Sequence, residues 1–101
     1  MVDKFLHGRQ TDRPLFLEVN TADTHQPWRK NKGYDTSSLT VPPHLIDTKE
    51  TRDALAEYYT SVETLDSNIG KIVQSLERHG YRDNTLLIYT SDHGPNMSCM
   101  I

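Results

Sequence analysis

Two short apolar runs bracket one long amphipathic stretch. Leu15-Phe16-Leu17-Glu18-Val19 and Leu86-Leu87-Ile88-Tyr89 are brief, nearly continuous and followed at once by polar residues and turn formers. The second run suits a strand buried on both faces of a parallel sheet. Pro14 precedes the first, where its missing N–H falls outside any ladder. Strands are therefore expected over about 15–20 and about 85–90. Between them, Leu55, Tyr58, Tyr59, Val62, Leu65, Ile69, Ile72, Val73 and Leu76 recur at spacings of three and four. That spacing predicts one continuous helix over about 48–79. Asp47, with Glu50 three positions on, is the expected N-cap. Gly80 is the expected left-handed stop. Gly70 costs about 1 kcal/mol against Ala inside a helix, so it is read as a close approach to a sheet or a slight bend.

The resulting order is strand, long loop, long helix, strand, an α/β pattern. A strand–helix–strand connection crosses over right-handedly and makes its strands parallel. Both carboxyl ends then lie on one edge of the sheet, where open α/β sheets bind ligands. Each run ends in chemistry. The first is followed by Asp23-Thr24-His25-Gln26-Pro27, the second by Asp92-His93-Gly94-Pro95. Asp92 and His93, in a loop over 91–97, are read as paired metal ligands, with His25 facing the same cleft. Each has a plainer alternative. Asp before His-Gly-Pro can simply cap a turn, and His25 can be a surface loop histidine.

The connection over 21–47 is polar and broken by Gly33, Pro42 and Pro43. Loops beyond about 15 residues are uncommon in compact domains and often serve as lids or binding loops. Trp28, Arg29, Lys30 and Lys32 follow His25 closely, a cationic rim that suits an anionic substrate or an ordinary charged loop surface. Tyr58 and Tyr59 are read as core and rim residues rather than catalytic ones.

Composition narrows the classes. The chain has 101 residues, enough for one small domain, and a net charge of -3 that offers no polybasic face for nucleic acid or anionic lipid. The single cysteine, Cys99, excludes an internal disulfide framework and a cysteine-built zinc site. No apolar run approaches the roughly eighteen residues of a membrane helix, and the first residues lack the apolar core of a secretory signal. The compartment is left unknown.

Three stretches, in this order, resemble the sulfatases of the alkaline phosphatase superfamily. They are the apolar strand leading to His25-Gln26-Pro27, the helix carrying Ala56-Glu57-Tyr58-Tyr59 through Leu65-Asp66 and Ile69-Gly70-Lys71-Ile72, and Asp83-Asn84-Thr85-Leu86-Leu87-Ile88-Tyr89-Thr90-Ser91-Asp92-His93-Gly94. The likeness spans roughly residues 14 to 97 and is nearest to the sulfamidase and heparan-type branch. It implies a piece of a large α/β sandwich that hydrolyses sulfate esters or sulfamates with a formylglycine and a divalent metal, most often calcium. By position, Asp92 and His93 would be metal ligands. His25 would touch the sulfate and assist departure of the leaving group. An imidazole is a less natural calcium ligand than an oxygen, which leaves manganese or another transition metal open. The implied substrate is a sulfated small molecule or glycan. Relatives are commonly lysosomal, periplasmic or extracellular.

The family's nucleophile motif, Cys or Ser followed by x-Pro-x-Arg, is absent from these residues, and Cys99 has no such continuation. The N-terminal aspartate pair and the sulfate-binding lysine of the family are also missing. Two strands and a helix leave sheet faces and edges uncovered, and a chain this short buries little. The expectation is an internal piece of a larger sulfatase domain, inactive by itself, with formylglycine confined to the missing part. The alternatives are a phosphate or phosphonate hydrolase of the same superfamily and a non-catalytic remnant.

Overall fold

The computed structural model describes residues 1–10, 12–95 and 97. Asn96, inside the expected 91–97 loop, and Cys99 with its neighbours lie outside the described residues. Helix α1 spans Val2–His7 and helix α2 spans Lys49–Arg78, with short 3-10 turns at Thr36–Ser38 and Arg82–Asn84.

Helix α2, 30 residues long, extends about 45 Å at 1.5 Å per residue. Helix α1 and both 3-10 turns pack against it. The Cα radius of gyration is 17.8 Å, against about 13 Å for a compact domain of 100 residues. The chain is thus drawn out along a spine instead of wrapped round a core.

The helix begins one residue later than its expected cap. Thr48, not Asp47, takes the N-cap position, its Oγ1 accepting from the Thr51 N–H at 3.2 Å. Asp47 is engaged elsewhere. Its two carboxylate oxygens accept from Arg52 Nε at 2.6 Å and Arg52 Nη2 at 2.7 Å. The same guanidinium donates through Nη1 to the carbonyls of Thr36, Ser37 and Leu39 at 2.8–3.1 Å. Arg52 is a planar fork meeting a carboxylate on one side and a 3-10 turn on the other, a geometry a lysine cannot copy. At the other end Gly80 has φ +72°. The Gly80 N–H donates to Glu77 O at 3.1 Å and the Tyr81 N–H to Leu76 O at 2.9 Å, the paired bonds of a Schellman stop.

The apolar stripe is only partly covered. Leu55 and Leu76 are buried, but Leu65, Ile69, Ile72 and Val73 are half-buried and Val62 is exposed. Apart from Leu55, the deepest positions are small: Ala56, Thr60, Ser61 and Ser75. Loop residues pack on that small face. Ser61 Oγ donates to Glu57 O at 3.1 Å and accepts the Arg29 N–H at 2.9 Å. Thr60 Oγ1 donates to Ala56 O at 2.9 Å and accepts the Lys32 N–H at 3.4 Å. Tyr34 adds an O–H bond to Glu63 Oε1 at 2.6 Å and a ring contact to Tyr59 at 5.6 Å between centroids. The 21–47 connection is therefore fastened to α2 rather than loose.

The expected strands are not formed among the described residues. Residues 14–20 and 85–90 carry no regular secondary structure, and no bridge joins them into the expected parallel pair. The physical reason is that a strand satisfies its N–H and C=O groups only through a neighbour, and neither run is offered one here. Most of their apolar side chains are exposed, Phe16 by 89%, Leu86 by 86% and Ile88 by 75%, while Leu15 is half-buried. Gly70 likewise has no close neighbour, since a Cβ built there meets nothing within 4 Å. Its expected close approach is absent.

Helix α1, which the polar pattern of residues 1–14 did not announce, docks on the end of α2. Leu6 is buried, and Asp3 Oδ1 accepts from Arg78 Nη2 at 2.7 Å and Ser75 Oγ at 2.8 Å, with His79 Nε2 at 3.2 Å. Arg9 continues the contact, donating to the Tyr81 hydroxyl at 3.0 Å with its guanidinium 5.6 Å from the ring centre.

Two outcomes follow from this packing. Gly70→Ala, at an open helix position, should stabilise the 101-residue chain by about 1 kcal/mol, measured by urea unfolding. The Arg78 guanidinium, followed by the Ser75 hydroxyl, holds the Asp3 carboxyl far below its ordinary value of 3.8. A carboxyl depressed in the folded state stabilises above its unfolded pKa and loses that contribution as pH falls through the folded value. The stability gap between wild type and Asp3→Asn should be full above about pH 4 and should close on further acidification. Amide exchange at Leu6, compared between the two proteins, measures it.

Candidate functional site

Asp92 and His93 stand together on an exposed bend. Asp92 Oδ1 accepts the His93 N–H at 2.9 Å, and Asp92 Oδ2 lies 3.5 Å from His93 Nε2. Ser91 Oγ donates to His93 O at 2.7 Å, and His93 Nδ1 is 2.8 Å from Gly94 O. Their side chains are 86% and 76% exposed. Among the described residues, the bend is held by bonds that stay within Thr90–Gly94. The Asp92 carboxylate thus bonds the next residue's N–H rather than one two positions on, and its second oxygen and His93 Nε2 lie against each other on an exposed surface.

His25 sits on a separate turn. Its N–H donates to Ala22 O at 3.2 Å, Thr24 before it has φ +77°, and its Nδ1 is 2.6 Å from Gln26 O. The Gln26–Pro27 peptide is cis. Trp28 Nε1 donates back to Thr24 O at 3.0 Å, and the indole packs on Tyr58 at 5.3 Å between centroids. Among the described residues, no hydrogen bond or ion pair joins His25 to Asp92 or His93. The structure brings Asp92 and His93 side by side and leaves His25 on its own turn.

Donor chemistry tests the metal reading. A carboxylate and an imidazole are suitable ligands for a divalent ion, yet calcium takes about six to eight oxygens. Among the described residues no third acid, imidazole or thiol gathers with them. The pair fits one side of a metal site and does not complete it.

Asp23, which arrives with His25, is not available as a ligand. Its side chain is 12% exposed. Oδ1 accepts from Arg29 Nε at 3.0 Å and Nη2 at 2.8 Å, while Oδ2 accepts from Asn68 Nδ2 at 2.9 Å. The cationic rim is reduced accordingly. Arg29 is neutralised by Asp23, and Lys30 and Lys32 remain exposed to solvent. Tyr58 and Tyr59 are half-buried in the aromatic row with Trp28 and Tyr34, consistent with packing roles. Sequence reasoning missed Asn68, Ser61 and Thr60. Their one signal was a polar residue on the packed side of an otherwise apolar helix.

A family model of the sulfatases matches residues 1–99. The chain belongs to the sulfatase family. Its relatives include the N-sulphoglucosamine sulphohydrolase of Homo sapiens, 31% identical over 93% of this chain and 24% of that protein. An endo-4-O-sulfatase of Bacteroides thetaiotaomicron is 28% identical over 88% of the chain and 20% of its own length. An arylsulfatase of Clostridium perfringens is 26% identical over 92% and 24%. No solved structure matches. The chain spans about a quarter or less of each of these relatives. Membership implies the alkaline-phosphatase-like α/β fold and a family that generally works with a divalent metal. No helix among the described residues is long and apolar enough to cross a membrane.

Because Asp92 and His93 bond only within their own bend, Asp92→Asn and His93→Ala should each change the unfolding free energy by no more than about 0.5 kcal/mol. Urea titration of the two variants against wild type decides it.

Proposed function

We propose that this chain supplies the metal-ligand bend and the leaving-group histidine of a sulfuric ester hydrolase acting on sulfate esters or sulfamates. The observation that supports it best is the family match across residues 1–99, together with three solvent-facing side chains, His25, Asp92 and His93, none of which the fold uses for packing. Asp92 and His93 would hold one side of a divalent metal, calcium first and manganese second. When bound, the ion would polarise the sulfate oxygens as a Lewis acid. His25 would contact the sulfate and pass a proton to the departing oxygen or nitrogen. Residues 15–20 and 85–90 would be parallel strands of the complete domain, and their mostly exposed apolar side chains are the support for that. The substrate class is a sulfated sugar or an aryl sulfate.

The nucleophile motif is not among these residues, so the 101-residue chain alone is inactive on this reading. The assay is release of fluorophore from 4-methylumbelliferyl sulfate with added calcium or manganese. The isolated chain should match the blank. The native product, captured from its source with an antibody to the 49–78 helix, should release fluorophore and lose activity by about 10²-fold or more in an Asp92→Ala version. Metal-dependent release by the isolated chain, or full activity of the Asp92→Ala protein, would overturn the assignment.

A further inference from the structure

We propose that Asn68 and Asp23 form a positioning clamp that sets the His25 turn on helix α2. The clamp rests on the sulfatase reading of His25 for its purpose, but its geometry stands independently. Among the described residues, the hydrogen bonds of His25 stay within its own turn, at the Ala22 and Gln26 carbonyls. What fixes that turn in space lies on either side of it. Before it, Asp23 joins a helix residue 45 positions away, through Oδ2 and Asn68 Nδ2 at 2.9 Å. After it, Arg29 returns to Asp23 Oδ1 through two donors and to Ser61 through its backbone N–H. Trp28 closes the turn by bonding Thr24 O and packing on Tyr58.

The arrangement makes the carboxylate the shared element. Asp23 is largely buried, and both of its oxygens are occupied by donors from two different elements. Charge-assisted bonds of this kind are about twice as strong as neutral ones. Among the described residues, Asn68 is the one helix side chain that bonds Asp23 itself, and it contributes a donor that an ionised carboxylate cannot supply. A histidine held on a turn of its own would swing with the loop. Tied to the helix on both sides, it keeps one position, and a misplacement of about 1 Å at a reacting group can cost about 10²-fold in rate.

Asn68→Asp tests the clamp, since it is isosteric, cannot donate and sets a second carboxylate against Asp23. The only tryptophan, Trp28, reports on the turn, and the five histidines supply one probe at the turn and four controls. In the 101-residue chain, Asn68→Asp should raise acrylamide quenching of Trp28 roughly twofold or more as the turn opens locally. It should shift the His25 ring resonances while those of His7, His44, His79 and His93 and the far-ultraviolet helical signal stay in place. The exchange Asp23→Asn with Asn68→Asp restores a donor opposite an acceptor and should recover part of the loss. In the complete enzyme, Asn68→Asp should lower kcat by about 10²-fold with KM little changed. Unchanged quenching and an unchanged His25 signal would overturn the clamp. So would a collective shift of all five histidines, which marks a general structural role. Wild-type kcat in His25→Ala, with Trp28 still released by Asn68→Asp, would instead remove the sulfatase reading of His25 and leave the loop anchor standing.

Discussion

The backbone hydrogen bonds of α2 close within one segment, and the rest of the described structure depends on that self-sufficiency. Between its first and last turns, residues 49–78 satisfy their N–H and C=O groups among themselves, and Thr48, Gly80 and Tyr81 serve the two ends. The helix therefore runs its full length although most of its apolar stripe is only partly covered. It then serves as the surface on which the other segments are tied. Asp3 and Arg9 fasten α1 at its C-terminal end, Ser61 and Thr60 fasten the loop at its middle, and Arg52 fastens the 3-10 turn near its start. Each tie includes a polar bond made by a side chain, and buried Leu6 and the Trp28–Tyr58 and Tyr34–Tyr59 ring contacts add the apolar part. That is what a chain with little core has to work with.

The same contrast explains what could be read from the residues and what could not. Periodicity placed α2 within a residue at each end, and Gly80 marked its stop, because both signals are local to the segment. Thr48 displaced Asp47 as N-cap because two cap-capable residues stand side by side and Arg52, one turn further on, draws the acid away. The strands were a different matter. Leu15–Val19 and Leu86–Tyr89 have the composition of strands, but pairing is a property of two segments, and composition cannot provide a partner. Helix α1 was hidden because its docking rests on Asp3 meeting Ser75, Arg78 and His79, a contact across more than seventy positions.

The site divides along the same line. Asp92, His93 and His25 were legible as chemistry-bearing residues at the ends of apolar runs, and the family match covers all three. Their convergence was inferred from parallel strands, and without that ladder they remain on two separate turns. What the sequence pattern could not suggest was the other half of the design, in which Asp23 is spent on holding a loop. In the sequence alone, Asp23 arrives with His25 and has no role assigned to it. Its burial and its three donors, from Arg29 and Asn68, make it a structural group.

The bare run Leu86-Leu87-Ile88-Tyr89 has a consequence for the life of the molecule in solution. It is short, uncharged, free of proline and built of residues that favour extended chains. Exposed as it is, with its backbone groups unpaired by any ladder, it is a template on which a second molecule can lay the same segment in register. Any such pairing between two isolated 101-residue chains would grow with concentration, and a neighbouring strand of the complete domain would remove it by occupying the same backbone groups.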